Sequence, residues 1–325
     1  MTTDIGPAQA IVSESGLAGA SCVPTGPLRL IVSGPIGLNV EANAQSRIDR
    51  YRVLCTPLLA PAVPDDAALG DLRRAAPHAT AAIDAVADDL ALVRLLGARC
   101  FVVPPLLLVG PPGSGKTWLA RQLALFACGP ATLVYSLAGL NSAVPLKGQP
   151  RAFNGSGPGV TVDLLARHQT CAGCVVWDEI DKAGTSDWNG DPLHVLMQLL
   201  EPESNRALYD DFLQTTVNLS LVSHIATANS TGTLPPPLLS RFRIVELQRP
   251  PRAIVDHIVE SLRAALARRL SVPLERVPVL GEVSLARMTH GMGQEVDLRL
   301  LRRRYEAEVT RQLRLQSSPR FAPVC

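Results

Sequence analysis

The chain has 325 residues, of which 47% are hydrophobic and 18% are charged, and its formal net charge is +2. This composition excludes a disordered chain, a collagen-like fibre and a small disulfide scaffold, because it supplies enough apolar side chains for a sizeable core. The near-neutral charge gives no general reason to expect nucleic acid or an anionic membrane as a partner. Seven scattered cysteines favour reduced thiols, and residues 1–20 lack the basic start of a signal peptide. We therefore expect a soluble cytoplasmic protein.

The first predicted elements are irregular. Residues 1–70 are rich in glycine, proline, alanine and serine without a sustained period, which predicts a partly ordered arm and a linker. From residue 71 the pattern changes, and apolar side chains recur every three or four positions between Ile83 and Leu96, which predicts a helix. Short apolar runs then predict strands at 106–109, 132–137, 174–177, 222–226 and 244–247. Helical stretches between several of these strands indicate a parallel sheet that is covered on both faces.

No strand pattern remains beyond residue 249. Apolar side chains at four-residue spacing predict two helices, at 254–266 and 298–313, and therefore a small helical domain. The predicted organisation is an arm and linker (1–70), a large α/β domain (71–248), a helical domain (249–318) and a tail (319–325).

A glycine-rich loop lies between the predicted strand 106–109 and a predicted helix. It reads Gly110, Pro111, Pro112, Gly113, Ser114, Gly115, Lys116 and Thr117, and it matches the pattern G-x-x-x-x-G-K-[ST]. Glycines let backbone N–H groups close around phosphate oxygens, and the helix N-terminus adds its positive dipole end. We expect Lys116 to reach the β- and γ-phosphates of a nucleotide and Thr117 to bind Mg²⁺. The alternative is an ordinary glycine-rich turn, which the strand and helix on either side disfavour.

Two acidic residues follow the predicted strand 174–177, at the end of the strand where ligands bind in open α/β sheets. Asp178 is expected to hold Mg²⁺, directly or through water. Glu179 is expected to orient or deprotonate the water that attacks the γ-phosphate. The alternative is a solvated acidic turn, but the position after a phosphate loop favours catalysis.

These motifs resemble those of the AAA+ ATPases and, more closely, the ATPase module of Lon-type proteases. The similar segments are 178–182, 190–192, 200–205, 225–229 and 236–241. The resemblance implies an α/β AAA+ P-loop domain, with a parallel sheet flanked by helices, and a small C-terminal helical lid. It also implies ATP and Mg²⁺ as cofactors and assembly into a homohexamer. The serine–lysine peptidase domain that follows the lid in Lon is not found before Cys325, so we expect no proteolytic activity.

The resemblance further implies roles for three polar residues. Asn229 falls on the sensor-1 position beside the attacking water and the γ-phosphate, although a single asparagine after a strand is also typical of a turn. Arg241 falls on the arginine finger that a neighbouring subunit receives, with Arg243 as a competitor. The sensor-2 arginine corresponds to Arg299 in one alignment, whereas another places Gly293 there.

Two loops resemble the pore loops of Lon-like unfoldases. Phe153 lies on the first loop, where Asn154 replaces the usual aliphatic residue, and Trp188 lies on the second. An aromatic ring on such a loop can grip an extended peptide without reading its sequence. The alternative is that both rings pack back into their own subunit.

The resemblance therefore implies ATP hydrolysis that drives protein unfolding or remodelling, with a protein client or a separate peptidase as partner and no membrane. One alternative is an AAA+ ATPase that acts on nucleic acid, with Phe153 buried. Its candidate surface is the set of arginines on the last predicted helix, Arg299, Arg302, Arg303, Arg304, Arg311 and Arg314. The other alternative is a nucleotide-dependent switch with slow hydrolysis, against which the intact Lys116, Asp178 and Glu179 argue.

Overall fold

The computed structural model describes residues 26–36, 47–153, 155–184 and 190–317. Trp188, predicted for the second pore loop, lies outside these ranges, as do Asn154 and the predicted tail 319–325. Within these ranges, no helix is long and apolar enough to cross a membrane.

The regular elements alternate along most of the chain. The strands are β1 (Arg29–Leu30), β2 (Leu58–Leu59), β3 (Leu106–Val109), β4 (Thr132–Ser136), β5 (Gly173–Asp178), β6 (Leu208–Asp210), β7 (Thr215–Val217), β8 (Val222–Ala228) and β9 (Arg243–Glu246). The α-helices are α1 (Ala67–Ala75), α2 (Thr80–Leu95), α3 (Lys116–Cys128), α4 (Val144–Lys147), α5 (Val160–His168), α6 (Pro192–Leu200), α7 (Pro236–Leu239), α8 (Val255–Leu270), α9 (Glu282–Thr289) and α10 (Leu298–Ser317).

A five-stranded sheet, parallel throughout, forms the centre of the large domain. Its spatial order is β4-β5-β8-β3-β9, and Leu106 of β3 lies opposite Ile225 of β8 and Arg243 of β9. The predicted parallel sheet flanked by helices is therefore confirmed. Because parallel strands end at the same edge, the segments after β3, β5 and β8 meet there. That edge carries the predicted phosphate loop, the acidic pair and Asn229.

The central strands are buried on both faces, which explains their continuous apolar sequences. Leu107 points into one hydrophobic cluster, whereas Leu106 and Leu108 point into a second cluster on the opposite face. In β5 the same alternation sends Trp177 into the first cluster and Val176 into the second. The sheet is thus held between two apolar layers, so its C-terminal edge is a rigid platform.

Helix α3 packs into the second cluster and thereby fixes the end of the phosphate loop. Leu119 and Leu123 are fully buried there, beside apolar side chains of β3, β5 and β8. The helix begins directly after Gly115, whose φ of 94° lies in the left-handed region that favours glycine. It ends at Gly129, which also has a positive φ.

Part of the segment predicted as an arm and linker packs into the core of the large domain. Strand β1 pairs antiparallel with β2, and Ser33 forms a bridge with Val217 of β7. Six of its side chains are buried in the first hydrophobic cluster: Val32, Ile48, Tyr51, Leu54, Leu58 and Ala60. Four of these residues, Ile48, Tyr51, Leu54 and Leu58, recur at spacings of three and four, a helical period that the prediction of an irregular arm overlooked. The domain boundaries stay a prediction.

The C-terminal helices α8, α9 and α10 enclose a third cluster of their own, which includes Leu266, Met288, Leu301 and Tyr305. Asp297 precedes α10, and its carboxylate accepts from the backbone N–H groups of Arg299 and Leu300 at 2.9 and 3.1 Å. This capping places the start of α10 against the phosphate loop, where Leu298 N–H donates to the carbonyl of Gly113 at 2.9 Å.

Candidate nucleotide-binding site

The backbone of the glycine-rich loop is shaped for close approach by a ligand. Gly113 and Gly115 have φ values of 83° and 94°, which residues with a Cβ rarely adopt. The loop leads without interruption into the first turn of α3. Its amide groups and the dipole of the 13-residue helix therefore favour an anion at this point.

Lys116 turns its ammonium group into the loop. The residue is only 8% exposed, and Nζ donates to the carbonyls of Gly110 and Pro111 at 2.7 and 3.0 Å. It also donates to Oδ1 of Asn229 at 3.3 Å. The predicted phosphate-binding lysine and the predicted sensor-1 asparagine are therefore in direct contact.

The pKa of Lys116 lies below the ordinary lysine value, mainly because burial disfavours the ammonium ion. The nearby positive charge of Arg299 lowers it further, while the carboxylates of Asp181, Asp178 and Glu179 raise it. The large domain thus surrounds the lysine with acids, and the C-terminal helical domain brings a second cation, Arg299, within electrostatic reach.

The two predicted Mg²⁺ ligands are adjacent. Thr117 Oγ1 donates to Asp178 Oδ1 at 2.7 Å. Thr227, at the end of β8, donates to the same oxygen at 2.6 Å, and its hydroxyl accepts from the backbone N–H of Glu179 at 3.0 Å. Sequence reasoning assigned Thr227 no role, yet this buried hydroxyl joins both acidic residues.

Glu179 has a left-handed backbone, with φ 56° and ψ 49°. This conformation is uncommon for a residue with a long side chain and marks local strain, which the hydrogen bond to Thr227 helps to maintain. The carboxylate is held as well, because Lys182 Nζ donates to Glu179 Oε1 at 2.6 Å. Asp181 adds a further link, since its Oδ2 accepts from the backbone N–H of Asn229 at 3.0 Å.

The donor set fits ATP and Mg²⁺. A threonine hydroxyl and a carboxylate at the edge of a phosphate loop are the hard oxygen ligands that Mg²⁺ prefers. Two buried polar atoms beside the loop have no partner within the described residues, namely Ser114 Oγ and His78 Nδ1. The other ring nitrogen of His78 lies 3.2 Å from the carbonyl of Ser114. Buried polar atoms without a partner beside the loop suit a site that receives a polar ligand.

Arg241, the predicted arginine finger, has partners in its own chain. Its Nη2 lies 2.7 Å from Glu201 Oε2, and its Nη1 donates to the carbonyl of Pro237 at 2.7 Å. Sequence reasoning expected no use for it within its own subunit. The competitor Arg243 forms two hydrogen bonds with Asp89, at 2.8 and 2.9 Å, so its guanidinium group is already engaged.

Phe153, the predicted first pore-loop residue, is 55% exposed, which agrees with a contact to another molecule and not with packing inside its own subunit. The base of its loop is closed by the hydrogen bond from Gln149 N–H to the carbonyl of Gly157, at 2.9 Å. The buried carboxylate of Asp210 anchors the loop, since it accepts from Gly159 N–H at 2.8 Å. Burial raises the pKa of Asp210 to about 6.

Three of the six arginines of α10 have contacts within the helical domain. Arg302 pairs with Glu306, Arg311 pairs with Glu308, and Arg304 donates to the carbonyls of Met288 and His290. Such pairs reduce the charge that this helix offers to phosphates.

The parallel sheet, the phosphate loop after its strand β3 and the acidic pair after β5 together define a P-loop nucleotide-binding domain. Residues 106–249 match the model of the family described as "ATPase family associated with various cellular activities (AAA)". This segment of the chain is an AAA domain.

The relatives that the chain resembles include Lon protease homologs. It is 42% identical over 144 residues to the peroxisomal Lon protease homolog 2 of Arabidopsis thaliana, which is 44% of this chain and 16% of that protein. It is 36% identical over 169 residues to the mitochondrial Lon protease homolog of Saccharomyces cerevisiae, which is 50% of this chain and 14% of that protein. The match thus spans about one sixth of the length of these relatives and is centred on the AAA region.

Proposed function

We propose that this chain binds ATP with Mg²⁺, hydrolyses the ATP, and uses the hydrolysis to unfold or remodel a client protein in a ring of identical subunits, a homohexamer. The observation that carries the proposal is the contact of Thr117 with Asp178 beside Lys116, at the end of a phosphate loop. Homology to the AAA ATPases and to Lon supports an ATP-driven activity.

The phosphate loop provides binding. Its N–H groups and Lys116 hold the phosphate oxygens, while Thr117 and Asp178 hold Mg²⁺. When bound, Mg²⁺ neutralises charge on the phosphates and so favours phosphoryl transfer to water. Lys116 leaves its backbone acceptors when phosphates take their place, because a charged oxygen is the stronger acceptor.

Glu179 provides the base. Its carboxylate orients the attacking water and accepts a proton from it. The contact with Lys182 has to open or lengthen for the carboxylate to reach that water. Asn229 then orients the water or the γ-phosphate from the neighbouring strand, and Arg299 adds positive charge from the lid.

Arg241 completes the site of a neighbouring subunit. Its pairing with Glu201 leaves the side chain 31% exposed, so it is available to exchange this partner for a phosphate oxygen across a subunit interface. Such a positive charge stabilises the transition state of phosphoryl transfer. The active site therefore lies between subunits of the ring.

The exposure of Phe153 supports a protein client. A ring of such side chains holds an extended chain by non-directional packing. Trp188 is proposed to form a second tier, although it lies outside the described residues. The proposed partner of the chain is then a client protein or a separate peptidase. Its location in the cytoplasm stays a prediction, since the named relatives are peroxisomal and mitochondrial.

The test is ATP turnover measured with an unfolded protein, with DNA and with neither. We expect Mg²⁺-dependent turnover that the unfolded protein stimulates and DNA does not. The Glu179→Gln variant is the control, because it keeps the phosphate cradle intact and loses the base. Stimulation by DNA alone would favour the nucleic-acid alternative. Tight ATP binding without turnover would favour the nucleotide switch.

A further inference from the structure

Two segments meet at the phosphate loop. Leu298 N–H donates to the carbonyl of Gly113 at 2.9 Å. Arg249, in the connection between the two domains, donates through Nε to the carbonyl of Pro112 at 2.9 Å. Its Nη2 lies 3.5 Å from Oδ2 of Asp297. The loop, the interdomain connection and the start of α10 are thus joined by a few polar contacts.

Asp297 lies unusually close to the loop backbone. A Cβ added to Gly113 would come within 3.0 Å of the carboxyl carbon and both oxygens of Asp297. The carboxylate therefore occupies the space that a side chain at Gly113 would need. A negative charge at this distance opposes the electrostatics of a loop whose amide groups favour anions.

Arg249 offsets that charge. Its side chain is 33% exposed and that of Asp297 is 31% exposed, so water screens the pair only in part. One carboxylate oxygen of Asp297 also caps α10. An asparagine keeps a side-chain oxygen for that cap, so the charge can be removed without removing the cap.

We propose that Arg249 and Asp297 set the nucleotide affinity of the phosphate loop by opposed charges, Asp297 weakening and Arg249 strengthening the binding of phosphates. The inference rests on the proposed binding of ATP. The negative charge of a nucleotide is repelled by the carboxylate and attracted by the guanidinium group, and both effects are larger for ATP than for ADP. Neither residue takes part in the proposed hydrolytic step.

The competing explanation is that the pair only latches the helical domain onto the loop. A latch needs both partners, so loss of either one would weaken nucleotide binding. Opposed charges instead predict changes of opposite sign. The signs of the two single variants therefore separate the explanations without reference to their size.

The experiment measures dissociation constants for ATP and ADP by titration calorimetry at low and high salt. The variants are Asp297→Asn, Arg249→Gln and the double variant, with Glu306→Gln as control because it removes an acid from the same helix, away from the loop. We expect Asp297→Asn to bind ATP about two- to fivefold tighter and Arg249→Gln to bind it weaker by a similar factor. Changes of this size are typical of interactions between partly exposed charges. The double variant should return to near the wild-type value, and high salt should reduce every difference.

Arg249→Lys is a second variant that keeps the falsifying comparison if Arg249→Gln misfolds. It keeps the positive charge and loses the planar guanidinium group. Near-wild-type affinity of this variant supports the opposed charges, whereas a loss equal to that of Arg249→Gln supports a latch and overturns the inference. Weaker binding by Asp297→Asn, or no change in either single variant, also overturns it. Binding of ATP by the wild-type chain separates these results from a failure of the proposed function, since a chain that binds no ATP contradicts both.

Discussion

Thr227 offers the sharpest test of the site, because its hydroxyl serves both acidic residues. It donates to Asp178 Oδ1 at 2.6 Å and accepts from Glu179 N–H at 3.0 Å, and the residue is 1% exposed. Thr227→Val keeps the shape of the side chain and removes both hydrogen bonds. Glu179 then loses the contact that supports its left-handed backbone.

The size of the effect follows from these two bonds. A hydrogen bond to a charged group contributes about 1.5–3 kcal/mol, and an unpaired buried N–H costs about 1–3 kcal/mol. We therefore expect Thr227→Val to lower the free energy of unfolding by about 3 kcal/mol. Turnover should fall by about 100-fold because the base is displaced, while ATP affinity should change little because the phosphate loop is untouched.

The assay combines urea unfolding, ATP turnover and ATP binding, with turnover measured well below the melting temperature of the variant. Thr227→Ser is the matched control, since it keeps the hydroxyl and should retain most of the turnover. A Val variant with wild-type kcat would refute the positioning role even if its stability fell. Unchanged stability would refute the hydrogen-bond reasoning itself.

The remaining predictions concern the client, the interface and pH. Phe153→Ala should leave basal ATP hydrolysis largely intact and abolish its coupling to unfolding of a tagged protein; a large fall in melting temperature with a matching loss of ATPase would contradict the exposed position of the ring. Mixing Arg241→Ala with Glu179→Gln subunits should restore some turnover, and no recovery in confirmed mixed rings would count against action between subunits. Burial lowers the pKa of His224 to about 4 from 6.5, so the folded state binds fewer protons and stability should fall as pH drops through this window. His224→Gln should flatten that part of a urea-unfolding pH profile, and an unchanged slope would exclude His224 as its source.

The parts of the site that a short segment encodes were predictable from the sequence. The phosphate loop is one continuous stretch between a strand and a helix, and its chemistry follows from residue types at fixed spacing. The acidic pair was found in the same way, after an apolar strand. The parallel sheet followed from apolar runs alternating with helical stretches.

Contacts between distant segments were not predictable in this way. Thr227 looks like any β-branched residue at a strand end, and only the pairing of β8 with β5 brings it to Asp178. Arg241 pairs with Glu201, which lies at the end of a different helix, so no local sequence pattern indicated this partner. The hairpin of β6 and β7 was also missed, because Gln214 takes the left-handed position, with φ 55°, that a glycine would have marked.

The buried residues between 26 and 60 bear on how fragments of this protein should be cut. A fragment that starts at residue 71 loses the ring of Tyr51, which packs edge-on against Phe212 with centroids 5.7 Å apart. The carbonyl of Phe212 accepts from Arg151, two residues before Phe153. Trimming at this apparent linker therefore opens the core directly beneath the loop that is proposed to grip the client. If such a fragment lost unfolding activity, the cause would be the damaged core beneath the loop of Phe153. The loss would not show that the whole chain lacks the activity.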